Sequence, residues 1–196
     1  TFGAGGGHIM FLQFIQQSPV RGYIGGFTDG VRADGKGHLT LFTRIPLKGD
    51  RPVQVSGNLR VQNGDIDLGA GVPWLRNTRG VLTFTESGMQ ANGVAAEILG
   101  GAASINVQSA KGGAVHATVR GRSDLDALRK SEAHPLLDHL RGSAVWDADI
   151  SVADKAARVV INSDLMGIGS TLPQPFVKRA SEAMPLRFEK THVAAG

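Results

Sequence analysis

Apolar and polar residues alternate along much of the chain with a period of two. Over residues 53–61 (VQVSGNLRV), apolar or small residues occupy the odd positions and polar residues the even ones. The same pattern runs over 38–47, with Leu39, Leu41, Ile45 and Leu47 on one face, and over 144–152. Such alternation predicts β-strands with one apolar and one polar face. Further strands are predicted over 65–68, 81–85, 104–107, 115–119 and 158–162.

Short turns rich in Gly, Asn and Asp separate these strands. Asn63-Gly64, between two strand patterns, is the strongest hairpin signal, since both residue types tolerate a positive φ. Gly100-Gly101 and Lys111-Gly112-Gly113 are further turn signals. Short connections favour antiparallel neighbours, because parallel pairs need long crossovers, so we expect roughly eight to eleven strands in a long antiparallel meander.

Three or four short helices are predicted between the strands. One covers 9–16, and a second begins at Ser18-Pro19, with a capping residue followed by proline. A third covers 123–141, interrupted by Pro135 and ended by Gly142. A fourth is predicted from Pro175 to Met184. The fold class is therefore mainly β, with an apolar sheet face that a second sheet, closure of the sheet, helices or an apolar ligand must cover.

Composition and charge narrow the possible classes of protein. The chain has 196 residues, 41% of them apolar, and no cysteine, which excludes disulfides and thiolate chemistry. Its net charge is +4, but the lysines and arginines are scattered, so we expect no nucleic-acid partner. No apolar run is long enough to span a membrane. We expect residues 1–8 to be a tag or flexible start, 9–190 one structural unit and 191–196 a flexible tail.

Candidate catalytic residues are few and poorly spaced. His134 and His139 are five residues apart in sequence, near Glu132 and Asp138, which is not the helical spacing of a zinc site. Asp147 and Asp149 share the polar face of one predicted strand, where solvation explains them. We therefore expect no enzyme, no metal and no cofactor. A third hypothesis is a hydrolase, which requires the two histidines and a carboxylate to lie within hydrogen-bonding distance of one another.

The apolar strand positions are the remaining candidates for function. They either form an ordinary core or face a lipid, and the alternation alone does not decide between the two. The candidate lipid-facing residues are Leu39, Leu41, Val53, Val55, Leu59, Val61, Trp146 and Ile150.

One segment of the last third resembles a known family. The residues that match its motif are Ser163, Asp164, Leu165, Gly167, Ser170, Leu172, Pro173, Pro175, Lys178 and Ala180. Together with the upstream strand pattern, which extends the similarity over about 9–190, this segment resembles the YhdP family of large AsmA-like envelope proteins of Gram-negative bacteria. Family members are several times longer and begin with an inner-membrane anchor, so the chain looks like an internal or C-terminal fragment.

The resemblance implies a function in lipid transport rather than catalysis. It implies a meander curled into a β-taco-like groove along which phospholipid acyl chains pass between the inner and outer membranes, maintaining the lipid balance of the outer membrane. It also implies a periplasmic location within an inner-membrane-anchored protein, with phospholipid and other envelope proteins as partners. The alternative is a non-catalytic envelope scaffold or interaction domain with a closed dry core.

Overall fold

One antiparallel sheet dominates the structure, a computed structural model that describes residues 32–46, 54–67, 73–109, 114–131, 134–153 and 156–193. The strands are β1 (Arg32–Arg44), β2 (Gln54–Asp67), β3 (Leu75–Thr85), β4 (Gly88–Ile98), β5 (Gly101–Ser109), β6 (Val115–Asp124), β7 (Leu140–Ala153), β8 (Ala156–Ser163), β9 (Ile168–Ser170) and β10 (Leu186–Val193).

The strands follow one another in space as they do in sequence. The order is β1-β2-β3-β4-β5-β6-β7-β8-β10, and the short β9 pairs with the beginning of β7. Every pairing is antiparallel, as the short turns predict. Among the described strands, β1 and β10 form the two edges and do not pair with each other, so the sheet is open. The predicted mainly β meander is confirmed.

The helical content is smaller than predicted. The described residues contain one α-helix, α1 (Leu125–Ser131), and a 3-10 helix at Pro135–His139, both within the predicted third helix. Asp124 caps α1, because its Oδ1 accepts the N–H groups of Asp126 and Ala127 at 3.0 Å each. The helices predicted over 9–16 and from Ser18 lie outside the described residues.

The helix predicted from Pro175 to Met184 is wrong. The backbone there bonds to another part of the chain, because the Lys178 N–H donates to the Ser170 carbonyl at 3.2 Å and the Ser170 N–H donates to the Lys178 carbonyl at 2.9 Å. Phe176 closes a turn by donating its N–H to the Pro173 carbonyl at 2.9 Å. The apolar spacing that predicted a helix is therefore overridden by bridge pairing with β9.

The hairpin predicted at Asn63-Gly64 is also wrong, since β2 continues through it. Asn63 does adopt a positive φ of 54°, but the result is a bulge with register shifts on both sides. Gly64 is closely packed here: a Cβ placed on Gly35 of β1 would come within 2.5 Å of the Gly64 Cα. The local conformation that favours a turn thus also suits a β-bulge, and pairing with β1 and β3 decides the outcome.

β4 and β6 approach each other beside the β4–β5 turn. Cα atoms of the two strands come within 8 Å of each other, and the Asp124 N–H at the end of β6 donates to the Leu99 carbonyl just after β4 at 3.4 Å. The apolar face carries two buried clusters. One is centred on Ile98, Ile105 and Trp146, and the other on Val55, Phe84, Met89 and Val115. An open antiparallel sheet with one apolar face is consistent with the predicted curled groove.

A third cluster joins α1 to the end of the sheet. Leu125 and Leu137 pack with Ala144 of β7 and Ile168 of β9. This packing places α1 beside the β4–β5 turn, where a Cβ on Gly100 would meet the Leu128 nitrogen at 2.7 Å. Within the part of the chain that the structure describes, no helix has the length and hydrophobicity needed to cross a bilayer.

Candidate functional site

A row of directly opposed residues crosses the whole apolar face of the sheet. The row, which we call the central row, consists of Leu39, Leu59, Leu82, Ala91, Val107, Ala117, Ile150, Val159 and Lys190. Each member is the register partner of the next, from β1 at one edge to β10 at the other. Eight of the nine are apolar, so an uninterrupted apolar path runs at right angles to the strands.

A parallel path lies one step further along the strands. This second row consists of Val94, Ile105, Val119, Ala148, Ile161 and Phe188, again paired in register. Phe188, at the β10 edge, is 48% exposed. The two rows together make a band of apolar side chains that reaches an edge of the sheet without being covered there by another described strand.

The central row is only partly shielded from solvent. Its leucines, Ile150, Val107 and Val159 are half-buried, whereas the small Ala91 and Ala117 are buried. No large side chain among the described residues is less than 2% exposed. The interior of a closed sandwich or barrel of this size is close-packed and contains many fully buried large side chains. The described apolar face is therefore not sealed like such a core.

The opposite face of the sheet is polar and charged. Arg120 lies opposite Asp147 in register, and the His116 Nε2 is 3.6 Å from the Asp149 Oδ1. At the β10 edge, the Arg158 Nε donates to the Glu189 Oε1 at 2.7 Å. This hydrogen bond from Arg158 holds the pKa of the Glu189 carboxyl below its ordinary value. Charge is thus concentrated on one face and nearly absent from the other.

All the described candidate lipid-facing residues lie on the apolar face. Leu39, Leu59 and Ile150 belong to the central row, and Leu41 and Val55 join the cluster around Phe84. Val61 pairs with Gly37 and Gly80, and Trp146 belongs to the cluster around Ile105. Val53 lies outside the described residues. The structure therefore brings the set onto one surface, although contact with lipid stays a prediction.

Several members of the central row were missed by the sequence reasoning. β4 was not predicted at all, because Asn92-Gly93 breaks its alternation. Gly93 has a φ of 63° and the register shifts between Ala91 and Val94, so apolar residues change from odd to even positions. A search for period-two patterns that allows one shift of phase at Asn-Gly would find this strand. Ile45, predicted on the same face, lies beyond β1 and is 64% exposed.

The motif residues over 163–180 hold a folded segment against β7 rather than line the apolar face. The Ser163 hydroxyl donates to the Val145 carbonyl at 2.8 Å and accepts the Leu165 N–H at 3.0 Å. The Asp164 Oδ1 accepts the Met166 N–H at 2.9 Å. Gly167 adopts a φ of 96°, and a Cβ there would lie 2.2 Å from the Ser143 carbonyl oxygen.

The buried side chain of Lys178 stabilises the same segment. It is 8% exposed, and its Nζ donates to the carbonyls of Leu165 and Ile168. A buried ammonium is tolerated where its N–H groups are hydrogen-bonded. Ser170 is also buried and accepts the Leu172 N–H at 3.3 Å. The serine, aspartate, glycine and lysine of the motif thus each have a structural partner in this fold.

The two candidate histidines have separate partners. The His134 Nδ1 accepts the Leu136 N–H at 3.3 Å at the start of the 3-10 helix, and the His139 Nδ1 lies 3.4 Å from the Thr171 hydroxyl. Asp138 is 3.9 Å from the Arg129 Nε. In the described ranges, no three His, Asp or Glu side chains are grouped so that they could hold a metal ion.

Comparison with known families identifies the family of this chain. The sequence profile described as YhdP protein matches residues 5–194, nearly the whole chain. The chain belongs to the YhdP family. Searches among curated proteins and among solved structures returned no match. Membership of the YhdP family supports an AsmA-like envelope protein.

Proposed function

We propose that this chain is a periplasmic segment of an AsmA-like envelope protein whose apolar groove carries phospholipid acyl chains between the inner and outer membranes. The full protein would be anchored in the inner membrane and would maintain the lipid balance of the outer membrane. Family membership supports the envelope setting. The single observation that carries the transport proposal is the central row, which is apolar across eight strands and is only half-buried at its larger side chains.

The energetics of burial favour acyl chains as the occupant. Each methylene that leaves water for an apolar surface contributes about 0.8 kcal/mol. Half-buried leucine and valine side chains still present apolar area to water, so an acyl chain lying along the row gains burial at the same time as the protein does. Neither the lipid nor the protein needs a fixed polar contact for this burial of apolar surface. Such binding is suited to a lipid that is transported along the groove.

We also propose that the segment is not catalytic and needs no cofactor. Its conspicuous polar side chains have structural partners: Lys178 bonds two carbonyls, His134 starts the 3-10 helix, and Glu189 pairs with Arg158. Transport along an apolar surface requires no nucleophile, general base or metal. These polar side chains therefore need no catalytic role.

The proposal is tested with two substitutions on adjacent residues of β2. Leu59 lies on the apolar face between Leu39 and Leu82, and Asn58 lies on the polar face between Thr40 and Thr83. Leu59→Asp introduces a charge into the central row, which lipid tails avoid because an unpaired charge is costly in apolar surroundings. Asn58→Asp introduces the same charge on the other face of the same strand.

The readout is the phospholipid that stays with the protein. Protein purified from a Gram-negative host is extracted, and its phospholipid is quantified by mass spectrometry. We expect lipid in the wild-type chain and in Asn58→Asp, and a loss of most of it in Leu59→Asp while the fold, followed by circular dichroism, is kept. Folded wild-type protein without any lipid would contradict the transport function.

The scaffold alternative predicts a different result for the same pair. If the apolar face is a closed dry core, Leu59→Asp buries an unpaired charge and unfolds the protein, as removing one partner of a buried ion pair does. The thermal transition would then be abolished or shifted far down, with no lipid in the wild type to lose. A folded Leu59→Asp variant that lacks lipid separates transport from scaffolding.

A further inference from the structure

Lys190 interrupts an otherwise apolar surface. It is the register partner of Val159 and ends the central row at the β10 edge. Of all the residues that form the central row and the second row, Lys190 alone is charged. Its side chain is exposed, so the ammonium group can stay in water at the edge of the sheet while its aliphatic stem follows the apolar face.

The position of this lysine runs against the pattern of its own strand. In β10, Leu186 and Phe188 occupy the apolar face and Arg187 and Glu189 the polar face. The alternation calls for a third apolar residue at position 190, where the sequence has lysine instead. This break in the pattern also explains why β10 was not predicted as a strand.

No described carboxylate neutralises Lys190. The nearest in sequence, Glu189, is on the polar face, where its Oε1 accepts from Arg158 at 2.7 Å and its Oε2 from Arg187 at 3.3 Å. The edge of the apolar path therefore carries a positive charge for which the described part of the chain offers no anion.

We infer that Lys190 binds the phosphate of a phospholipid whose acyl tail lies on the central row, an inference that rests on the proposed function. The complementarity is twofold, because a phospholipid places an anionic phosphate directly beside an apolar tail. Lys190 is the register partner of Val159, whose partner on the other side is Ile150, so the row has a charged residue at the end of its apolar path. The phosphate would sit at the β10 edge, with the tail directed towards β7.

The dimensions fit a lipid with its tail along the row. Strands are spaced about 4.8 Å apart, so the eight spacings from β10 to β1 span about 38 Å along the sheet. One leaflet of a bilayer is about 15 Å of hydrocarbon. A tail whose headgroup is held at Lys190 thus covers about three strands beyond β10, reaching Val159, Ile150 and Ala117. The remaining strands leave room for a second lipid further along.

A different role for Lys190 makes a distinct prediction. An inward-pointing charge on an edge strand discourages edge-to-edge association of sheets. If that is its only role, removing the charge produces dimers or aggregates and leaves lipid selection unchanged. Lipid selection and oligomeric state must therefore be measured on the same variants.

The test compares two lipids with the same acyl chains, of which only one carries an anionic phosphodiester headgroup. Phosphatidylcholine vesicles containing fluorescently labelled phosphatidylglycerol, or labelled diacylglycerol with the same acyl chains, donate lipid to the purified chain. The variants are Lys190→Met, the conservative Lys190→Arg, and the control Lys36→Met. Lys36 is also an exposed lysine in an edge strand, but it pairs with Gln62 on the polar face.

For wild-type protein we expect a preference for phosphatidylglycerol over diacylglycerol of about fivefold, the factor that corresponds to an exposed ion pair of about 1 kcal/mol. Lys190→Met should lose the preference with its diacylglycerol binding unchanged, and Lys190→Arg and Lys36→Met should keep it. The wild-type preference should fall as salt rises, because exposed charge pairs are screened.

The outcomes separate this inference from the proposed function. If wild-type protein takes up neither lipid, the groove does not carry lipid and both ideas fail. If wild-type protein takes up both lipids equally, the result supports the lipid-carrying groove and overturns the role of Lys190. Retention of the preference by Lys190→Met overturns it as well, with or without self-association of that variant.

Discussion

At the scale of single residues, two aromatic side chains on the apolar face lie over glycines of the neighbouring strand. A Cβ on Gly121 would come within 2.5 Å of the Trp146 Cζ2, and a Cβ on Gly57 within 2.7 Å of the Phe84 Cζ. Each glycine leaves the space that the ring fills. Both rings are buried, with Trp146 7% and Phe84 6% exposed.

This packing predicts that Gly121→Ala destabilises the chain. We expect a loss of about 1–3 kcal/mol in the free energy of unfolding, measured with urea, because the added methyl group overpacks against the indole. In a Trp146→Leu background the same substitution should cost much less, since the ring it meets is gone, and the pair should be strongly non-additive.

Gly37→Ala is the control for that measurement. It is a strand glycine whose Cβ would lie 3.4 Å from the Leu59 Cδ1, an ordinary contact distance. We expect it to leave stability unchanged or to raise it slightly, because alanine is less costly than glycine inside a strand. Equal losses for Gly37→Ala and Gly121→Ala would contradict the account of the Trp146 contact.

At the scale of elements, the edge strand β10 is fixed to β8 by charge as well as by backbone hydrogen bonds. The Arg158–Glu189 contact at 2.7 Å joins the two strands on the polar face. Because the hydrogen bond from Arg158 favours the ionised form, it lowers the pKa of Glu189 relative to the unfolded chain. The contribution to stability is therefore present above the unfolded pKa and is lost as the pH falls through the folded pKa.

Because the pKa of Glu189 is lowered in the folded chain, the stability of β10 should depend on pH. At neutral pH, Glu189→Gln should increase hydrogen exchange of the β10 amides relative to wild type. The difference should disappear at a pH below the pKa of Glu189, where the wild-type carboxyl is protonated too. In an NMR titration, Arg158→Gln should raise the pKa of Glu189 towards its ordinary value. An unchanged carboxyl titration in Arg158→Gln would contradict the assigned cause.

The 163–180 segment gives a second prediction at this scale. Lys178→Met removes the donor to the Leu165 and Ile168 carbonyls. Its expected cost is about 1–3 kcal/mol, since buried carbonyls lose a charged partner. Hydrogen exchange should rise at the amides of Gly167 and Ser170, which bond to Ala180 and Lys178.

Exposed Arg179 is the neighbouring control. Arg179→Met should leave these two amides protected, because the exposed arginine side chain is not the donor to the Leu165 and Ile168 carbonyls. Unchanged protection of Gly167 and Ser170 in Lys178→Met would show that the lysine is not what fastens the segment.

At the scale of the whole molecule, the sheet is open at both described edges and apolar on one face. The central row crosses the apolar face from β1 at one edge to β10 at the other. The leucines, Ile150, Val107 and Val159 of the central row are only half-buried, whereas Trp146 and Phe84 beside the row are buried. The proposed occupant, an acyl chain, supplies the missing cover.

The sequence predicted the parts of the fold that follow from the local alternation of apolar and polar residues, and it missed the parts that depend on pairing between distant segments. The period-two pattern around Leu59 and Ile150 predicted strands and their apolar faces correctly, because side-chain direction alternates by geometry. It failed at Asn63 and at Gly93, where a bulge preserves the strand but interrupts the pattern, and at Lys190, where one residue departs from it. The fold of 163–180 depends on pairing with Ser170, which is a non-local contact that spacing does not encode.

Site-specific photo-crosslinking along the central row tests the central claim most directly. A photoreactive amino acid replaces Leu82 or Val159 on the apolar face, or the neighbouring Thr83 or Arg158 on the polar face, in protein irradiated in Gram-negative cells. The account predicts phospholipid adducts at the first pair and none at the second. Folded protein that captures no phospholipid at Leu82 or Val159, or captures it equally on both faces, would contradict the claim that acyl chains occupy the apolar face.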